Sequence, residues 1–177
     1  RGLKLFVDGA RLAYSLASPA NDVSLADIAR LSDVFYIGGT KCGTLFGEAV
    51  VIPDGGSIRQ FVTQMKQHGA LLAKGRLLGV QFEALFEDDL YLTLGAPGVA
   101  ATKRIREALI RTGYVVTMDS PTNLTFVALD QAGHERLSRK VKYGIWETLP
   151  DGRLLARFCT SWGTPEEDIK AFEAALA

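Results

Sequence analysis

Two residues near the start of the sequence, Asp8 and Lys41, could together do covalent and acid–base chemistry. Asp8 directly follows the apolar residues 5–7, and Lys41 lies in a glycine-rich turn after the apolar residues 34–37. A lysine amine can bond covalently to an aldehyde, and a carboxylate can keep a nitrogen base protonated. The ordinary alternative for Lys41 is a solvated loop position, because burying an ammonium group is costly. The chemical interpretation requires Asp8 and Lys41 to face one site, whereas the solvated-loop interpretation does not.

The elements that carry Asp8 and Lys41 are predicted to form a βαβ unit. Residues 3–7 and 34–37 are short apolar runs closed by glycine, which is typical of buried strands, and residues 24–31 are predicted as a helix. The strands of a βαβ unit run parallel, so their carboxyl ends meet at one edge of the sheet. Open α/β sheets bind ligands at that edge. The pattern therefore brings Asp8 and Lys41 to one site.

This pair of residues fits the cofactor pyridoxal phosphate. A lysine holds the cofactor's aldehyde as a Schiff base, and a carboxylate keeps its ring nitrogen protonated so that the ring can accept electrons. Other sites have weaker support in the sequence. The turn at residues 38–44 lacks P-loop spacing, no G-x-G-x-x-G follows a strand, and His68 and His134 are isolated. We therefore predict a pyridoxal phosphate site and no metal site.

The rest of the chain is predicted to consist of alternating strands and helices. Strands are predicted at residues 48–53, 114–117, 125–129, 143–148 and 153–160. Further helices are predicted at residues 57–68, 70–90, 99–111, 133–141 and from residue 164 onward. The strand at 48–53 follows the strand at 34–37 too soon for a helical crossover, so these two should be antiparallel.

Individual residues set the expected helix boundaries. The hydroxyl residues predicted to be N-caps are Ser24, Ser57 and Thr164. Asp27 stands in the capping-box position relative to Ser24, and Pro165 in the first helical position after Thr164. The residues expected to interrupt the helical pattern are Gly95, Pro97 and Gly98.

Composition and charge exclude several functional classes. The chain has 20 Lys and Arg against 20 Asp and Glu, so no basic excess indicates a nucleic acid or an anionic membrane as partner. No apolar run approaches the roughly 18 residues of a membrane span. Two cysteines, Cys42 and Cys159, are too few for a disulfide framework, which favours a reducing compartment, the cytoplasm. We expect both to be buried thiols.

Three segments resemble the low-specificity L-threonine aldolases of the beta-eliminating lyase family, which are fold-type-I pyridoxal phosphate enzymes. The segments are residues 8–12 (D-G-A-R-L), 39–41 (G-T-K) and 156–162 (A-R-F-C-T-S-W). The resemblance runs over the whole chain and implies the carboxyl-terminal half of such an enzyme. The implied fold is α/β, with residues 1–80 as the end of a mostly parallel, cofactor-binding large domain. Residues 81–177 would form a small α+β domain, with the boundary in the helical stretch 76–90.

The resemblance also implies roles for single residues in cofactor binding. Asp8 would pair with the pyridine nitrogen, Arg11 would hydrogen-bond near the phenolic oxygen of the ring, and Lys41 would form the Schiff base. Arg76, with Lys74 as a helper, would reach the cofactor phosphate of a neighbouring subunit. This last contact implies a homodimer or homotetramer with shared active sites.

Arg157 is the residue that the resemblance assigns to the α-carboxylate of the substrate. Strand alternation places Arg157 on one face with Leu155 and Cys159, and the residues of the opposite face are apolar as well. A partly buried guanidinium needs an anion, and its planar fork suits a carboxylate. The alternative is a structural ion pair with an Asp or Glu of the chain.

The implied reaction is the cleavage of L-threonine or L-allo-threonine to glycine and acetaldehyde. The general base for the hydroxyl proton and the main phosphate-binding residues are expected in a segment upstream of residue 1. Three alternatives stay open. The same cofactor could catalyse β-elimination, transamination or racemisation, since such sites share the Asp and Lys. The chain could also be a non-catalytic relative, or a module that binds a small molecule at the same sheet edge.

Overall fold

The structure, a computed structural model, describes residues 2–177 and begins with a three-stranded sheet. Its strands, in spatial order, are β1 (Phe6–Val7), β2 (Val34–Gly38) and β3 (Glu48–Val51). The pair β1–β2 is parallel and the pair β2–β3 is antiparallel, which confirms both predicted directions. β1 is shorter than predicted, because the Leu5 amide and carbonyl bond to the side chain and the amide of Asp33.

Two helices connect β1 to β2. They are α1 (Leu12–Leu16) and α2 (Leu25–Leu31). α2 begins with the predicted capping box, in which Ser24 Oγ accepts from the Asp27 amide and Asp27 accepts from the Ser24 amide. α1 was not predicted, because its five residues are too few for a helical period to be recognised.

The next two helices begin later than predicted. α3 spans Phe61–Gln67, and Ser57 donates its hydroxyl to the Asp54 carbonyl in a turn instead of capping a helix. α4 spans Arg76–Phe86 rather than residues 70–90. It ends at a 3-10 turn, Glu87–Asp89, in which two aspartates have φ values of 50° and 57° that an α-helix does not accommodate.

The longest helix, α5, spans Leu90–Arg111 and continues through residues 95–98, where a break was predicted. That prediction is wrong because the glycines there are packing positions. A Cβ on Gly95 would lie 2.6 Å from the carbonyl carbon of Ala13. Because Gly95 has no side chain, α1 and α5 pack backbone against backbone. The favourable free energy of this packing outweighs the poor helix propensity of the segment.

The second sheet is antiparallel throughout and follows α5. Its strands are β4 (Val115–Val116), β5 (Leu124–Leu129), β6 (Gly144–Thr148) and β7 (Leu154–Cys159). Their spatial order is β4-β5-β7-β6. All four strands lie within one or two residues of their predicted positions.

Two further helices belong to this second part of the chain, α6 (Gln131–Ser138) and α7 (Glu166–Leu176). The predicted cap of α7 is wrong by one residue, since Pro165 occupies the N-cap position. Thr164 Oγ1 instead accepts a hydrogen bond from the Ser161 amide at 2.8 Å. The Thr164 hydroxyl thus organises the turn after β7 rather than the helix itself.

Each sheet packs on its own hydrophobic core. The first core consists of Leu12, Ala13, Tyr14, Phe35, Ile37, Cys42, Phe82, Leu85 and Tyr91. The second consists of Ile105, Ala108, Leu109, Val127, Leu129, Leu137, Ala156, Phe158, Ile169 and Leu176. α5 supplies residues to both cores and so joins them.

The domain division at residues 80 and 81 stays a prediction. Over residues 2–177, every helix is too short or too polar to cross a bilayer.

Candidate functional site

Asp8 and Lys41 follow the carboxyl ends of the adjacent parallel strands β1 and β2. The end of β2 lies directly against residues 9 and 10: the Gly38 amide donates to the Gly9 carbonyl at 2.9 Å. A Cβ on Gly38 would come within 2.5 Å of the Ala10 carbonyl oxygen, so only glycine permits this approach. Both side chains are exposed at this sheet edge.

The Asp8 carboxylate is held through only one of its two oxygens. Oδ1 accepts hydrogen bonds from the Tyr36 hydroxyl and from the Ala10 amide at 3.0 Å. The Tyr36 hydrogen bond, then the Ala10 amide, and then the charges of Lys41 and Arg11 hold the pKa of Asp8 below its usual value. Oδ2 accepts no hydrogen bond from any residue in 2–177 and is available to an external N–H donor.

Tyr36 is a site residue that the sequence reasoning missed. Val7 pairs with Phe35 in the parallel ladder, so the next residues along the two strands, Asp8 and Tyr36, are neighbours on the same face. Counting this register from the sequence could have found the contact. The hydrogen bond to Asp8 raises the pKa of Tyr36 to about 12, so the hydroxyl remains a donor at neutral pH.

Arg11 lies at the N-cap position of α1, with its guanidinium close to the end of β7. Its Nη2 is 4.0 Å from Cys159 Sγ, and its Nε is buried without any hydrogen-bond partner in the described chain. An unpaired buried donor is unfavourable unless a ligand oxygen satisfies it. A cavity of about 310 Å³ opens beside Asp8 and Arg11. Cys159 itself is exposed, so the prediction of a buried thiol is wrong here, whereas Cys42 is buried.

Arg157 lies half-buried on β7, two residues before Cys159 and therefore on the same face of the strand. Its guanidinium carbon is 4.7 Å from the centre of the Trp146 ring. Within residues 2–177, Arg157 forms neither an ion pair nor a hydrogen bond through its side chain. The structural ion pair considered as the alternative is thus absent from this part of the protein, and the guanidinium donors are available for an anion.

Tyr14 connects the lysine turn to the end of the second sheet. Its buried hydroxyl donates to the Lys41 carbonyl at 2.6 Å and accepts from the Trp162 amide at 3.3 Å. Burial raises the pKa of Tyr14, so its hydroxyl stays protonated. This side chain links the backbone that carries Lys41 to the backbone that follows Arg157. The sequence contains no local signal for it.

Arg76 and Lys74 lie apart from this cluster. Both are exposed at the start of α4, and no contact in the described chain joins either residue to Asp8, Arg11 or Lys41. Their predicted role toward a neighbouring subunit stays a prediction. Across residues 2–177, no group of three or more His, Cys, Asp or Glu side chains is placed to hold a metal ion.

The cluster of Asp8, Arg11 and Lys41 fits pyridoxal phosphate in the chemistry of its donors and acceptors. The ionised carboxylate has one oxygen available for a protonated ring nitrogen. The Arg11 guanidinium, which lines the cavity beside Asp8, can donate to an oxygen substituent of the ring. Lys41 places an amine at the same edge, with no ion pair to a residue of the described chain. Asp8 Oδ2 and the Lys41 amine are exposed and have no partner among residues 2–177, so both are available to an external group.

Comparisons with known proteins find similarity to threonine aldolases. A low-specificity L-threonine aldolase from Pseudomonas aeruginosa is 28% identical over 174 residues, covering 96% of this chain and 48% of that protein. The structure of Leishmania major threonine aldolase superposes with a TM-score of 0.91 at 43% identity, covering 99% of this chain and 51% of that one.

More distant structures share the fold alone. A serine palmitoyltransferase from Sphingomonas wittichii superposes with a TM-score of 0.65 at 16% identity, covering 98% of this chain and 47% of that one. No protein-family model matches the sequence. The chain spans about half the length of the relatives that it matches. Over nearly its whole length, the chain therefore has the fold of part of a fold-type-I enzyme and is related to the threonine aldolases.

Proposed function

We propose that the protein binds pyridoxal phosphate through Asp8, Arg11 and Lys41 and cleaves L-threonine or L-allo-threonine to glycine and acetaldehyde. The observation that carries the proposal is a set of groups at one sheet edge: Asp8 Oδ2 and the Lys41 amine, both exposed and without a partner among residues 2–177, and the Arg11 guanidinium beside the same cavity as Asp8. The similarity to threonine aldolases supports the reaction.

Each residue of the cluster has one task in this proposal. The bound cofactor supplies an aldehyde and an electron-accepting ring. Lys41 Nζ would hold the cofactor through its aldehyde carbon, with the aldehyde oxygen leaving as water, and Asp8 Oδ2 would keep the proton on the ring nitrogen. Tyr36 and the Ala10 amide hold the carboxylate through Oδ1, which leaves Oδ2 available to the cofactor. The Arg11 guanidinium would donate to the oxygen substituent of the ring.

Arg157 orients the substrate in this proposal. Its donors bind the α-carboxylate, and a carboxylate held at two points determines which bond at Cα stands perpendicular to the cofactor ring. The end of β7 reaches the cofactor side of the protein through the contact between Arg11 and Cys159. Tyr14 then keeps the lysine turn and the segment after β7 at a constant separation.

The assembly and location follow as further parts of the proposal. We propose a homodimer or homotetramer in which Arg76, assisted by Lys74, contacts the cofactor phosphate of a neighbouring subunit. The exposed position of both residues at the start of α4 supports this role. We also propose a cytoplasmic location, supported by the low cysteine content.

The experiment is to map the lysine that carries the cofactor. Full-length protein is incubated with pyridoxal phosphate and reduced with borohydride, which makes the lysine–cofactor bond permanent, and its peptides are then sequenced. We expect the label on Lys41 and its loss in Lys41→Ala, whereas Lys140→Ala, at an exposed lysine, should label as the wild type does. Label on a different lysine would refute the assignment. If Lys41 is labelled but the protein forms no glycine from threonine, the cofactor-binding part of the proposal stands and the aldol reaction is refuted.

A further inference from the structure

We propose that Trp146 is a positioning residue that holds Arg157 ready for the substrate carboxylate. This inference rests on the proposed function, since it concerns how the α-carboxylate is recognised. The observation behind it is that the Arg157 guanidinium lies over the Trp146 ring, 4.7 Å from its centre, and has no anionic partner in the described chain. Trp146 is itself 55% exposed, so the pair faces the open side of the small sheet.

Trp146 lies at an irregularity in β6. Gly144 pairs with Arg157 and Ile145 with Ala156, so a regular ladder would pair Trp146 with Leu155. The register instead shifts between Ile145 and Glu147, and Glu147 takes the place opposite Leu155. Trp146 is thereby left without a partner in β7. Bulges of this kind redirect a side chain and are frequent beside active sites.

A second aromatic residue keeps the Trp146 ring in place. Phe126 packs edge-on against it, with ring centres 6.1 Å apart and an angle of 77° between the rings. Phe126 is buried and pairs with Arg157 across the β5–β7 ladder. The β5–β7 pair therefore holds both the indole ring, through Phe126, and the backbone of Arg157.

An aromatic partner suits an arginine that must bind a carboxylate. The ring attracts the cation and narrows its rotamer freedom, yet it uses none of the guanidinium N–H donors. An Asp or Glu at this position would occupy those donors and compete with the substrate. The ring also shields one face of the guanidinium from water, which strengthens its interaction with an incoming anion.

The first test separates substrate binding from turnover. We expect Trp146→Leu to raise the KM for threonine about fivefold, the effect of losing one partly exposed cation–π contact, while kcat changes less than about twofold. Trp146→Phe, which keeps a smaller ring, should give an intermediate KM. The matched control is Tyr114→Leu, since Arg136 lies over the Tyr114 ring at 5.5 Å at the far edge of the sheet, and its KM should remain at the wild-type value.

The second test reads the Trp146–Arg157 pair without turnover. Full-length protein is titrated with acetate and with glycine, and the emission attributable to Trp146 is taken as the difference between the wild type and Trp146→Phe. We expect this emission to change saturably with either carboxylate, and the change to weaken in Arg157→Lys. Ethylamine, which has no carboxylate, should leave it unchanged.

The outcomes distinguish this inference from the proposed function. The positioning role would be overturned, even in an active aldolase, by two results together. Trp146→Leu would have the same KM as Tyr114→Leu, and carboxylates would not alter the emission of Trp146. A carboxylate-dependent emission in a protein that forms no glycine from threonine would support the Trp146–Arg157 pair and refute the proposed reaction.

Discussion

The contact between α1 and α5 at Gly95 offers a sharp test of how the fold supports the site. We predict that Gly95→Ala destabilises the protein, although alanine is the better helix former. The new Cβ would lie 2.6 Å from the Ala13 carbonyl carbon, closer still to its oxygen, and 2.9 Å from Ala17 Cβ. All three distances are below the 3.0 Å that Cβ atoms essentially never violate, so α1 has to move.

The size of the effect follows from two opposing contributions. Replacing glycine by alanine inside a helix favours folding by about 1 kcal/mol. Overpacking a tight contact costs about 1–3 kcal/mol, and more where backbone rather than a flexible side chain must move. Because Gly95 faces the backbone of α1, we expect a net loss of about 2 kcal/mol in the free energy of unfolding. For 177 residues that corresponds to a Tm lower by about 4–8 °C, and in a longer protein that unfolds as one unit the Tm shift is smaller because the entropy of unfolding is larger.

Thermal unfolding of the full-length protein, followed by circular dichroism, measures this difference. The control is Gly79→Ala in α4, where the structure has no atom within 4 Å of the added Cβ. Gly79→Ala should stabilise the protein by about 0.5–1 kcal/mol, since only helix propensity changes. A Gly95→Ala protein that unfolds at or above the wild-type temperature would show that α1 and α5 do not pack as closely as described.

Three further predictions concern the site. Asp8→Asn should reduce turnover more than cofactor affinity, because a neutral amide does not keep the ring nitrogen protonated; wild-type kcat would contradict this. Tyr36→Phe removes the largest cause of the lowered Asp8 pKa, so carboxyl NMR should show Asp8 titrating closer to 3.8. Ionised Asp8 stabilises the folded protein above its unfolded pKa, and this stability is lost as the pH falls through its folded pKa. In Tyr36→Phe the folded pKa is higher, so the loss should occur at a higher pH than in the wild type. Arg157→Lys keeps the charge but not the planar fork, so the KM for threonine should rise, and unchanged kinetics would exclude carboxylate binding by Arg157.

Much of the fold was predictable because its elements have local signals. Apolar runs closed by glycine marked β1 and β2, and the capping box marked the start of α2. The errors occurred where a distant contact outweighed local propensity. The pattern at residues 95–98 favours a break, but the close packing of Gly95 on α1 makes it a continuous helix. Ser57 has the right chemistry for an N-cap, but it is used in a turn with Asp54.

The residues of the candidate site also differ in whether the sequence alone reveals them. Its charged residues, among them Asp8 and Lys41, were recognisable from the sequence because strand ends and residue types are local properties. Tyr36 was recoverable in principle from the parallel register. Tyr14 was not, since its hydroxyl joins the Lys41 carbonyl to the Trp162 amide, two groups that are distant in the chain. No pattern of neighbouring residues contains such a contact.

The sequence by itself determined that two parallel strands end in an aspartate and a lysine at one sheet edge, because a helical crossover between strands permits little else. Only the tertiary structure decided how those groups are used. It directs both hydrogen bonds of Asp8 to one oxygen, places the Arg11 guanidinium beside the end of β7, and brings the Trp146 ring against Arg157. These features depend on how distant segments pack against each other, and packing is a property of the folded chain as a whole.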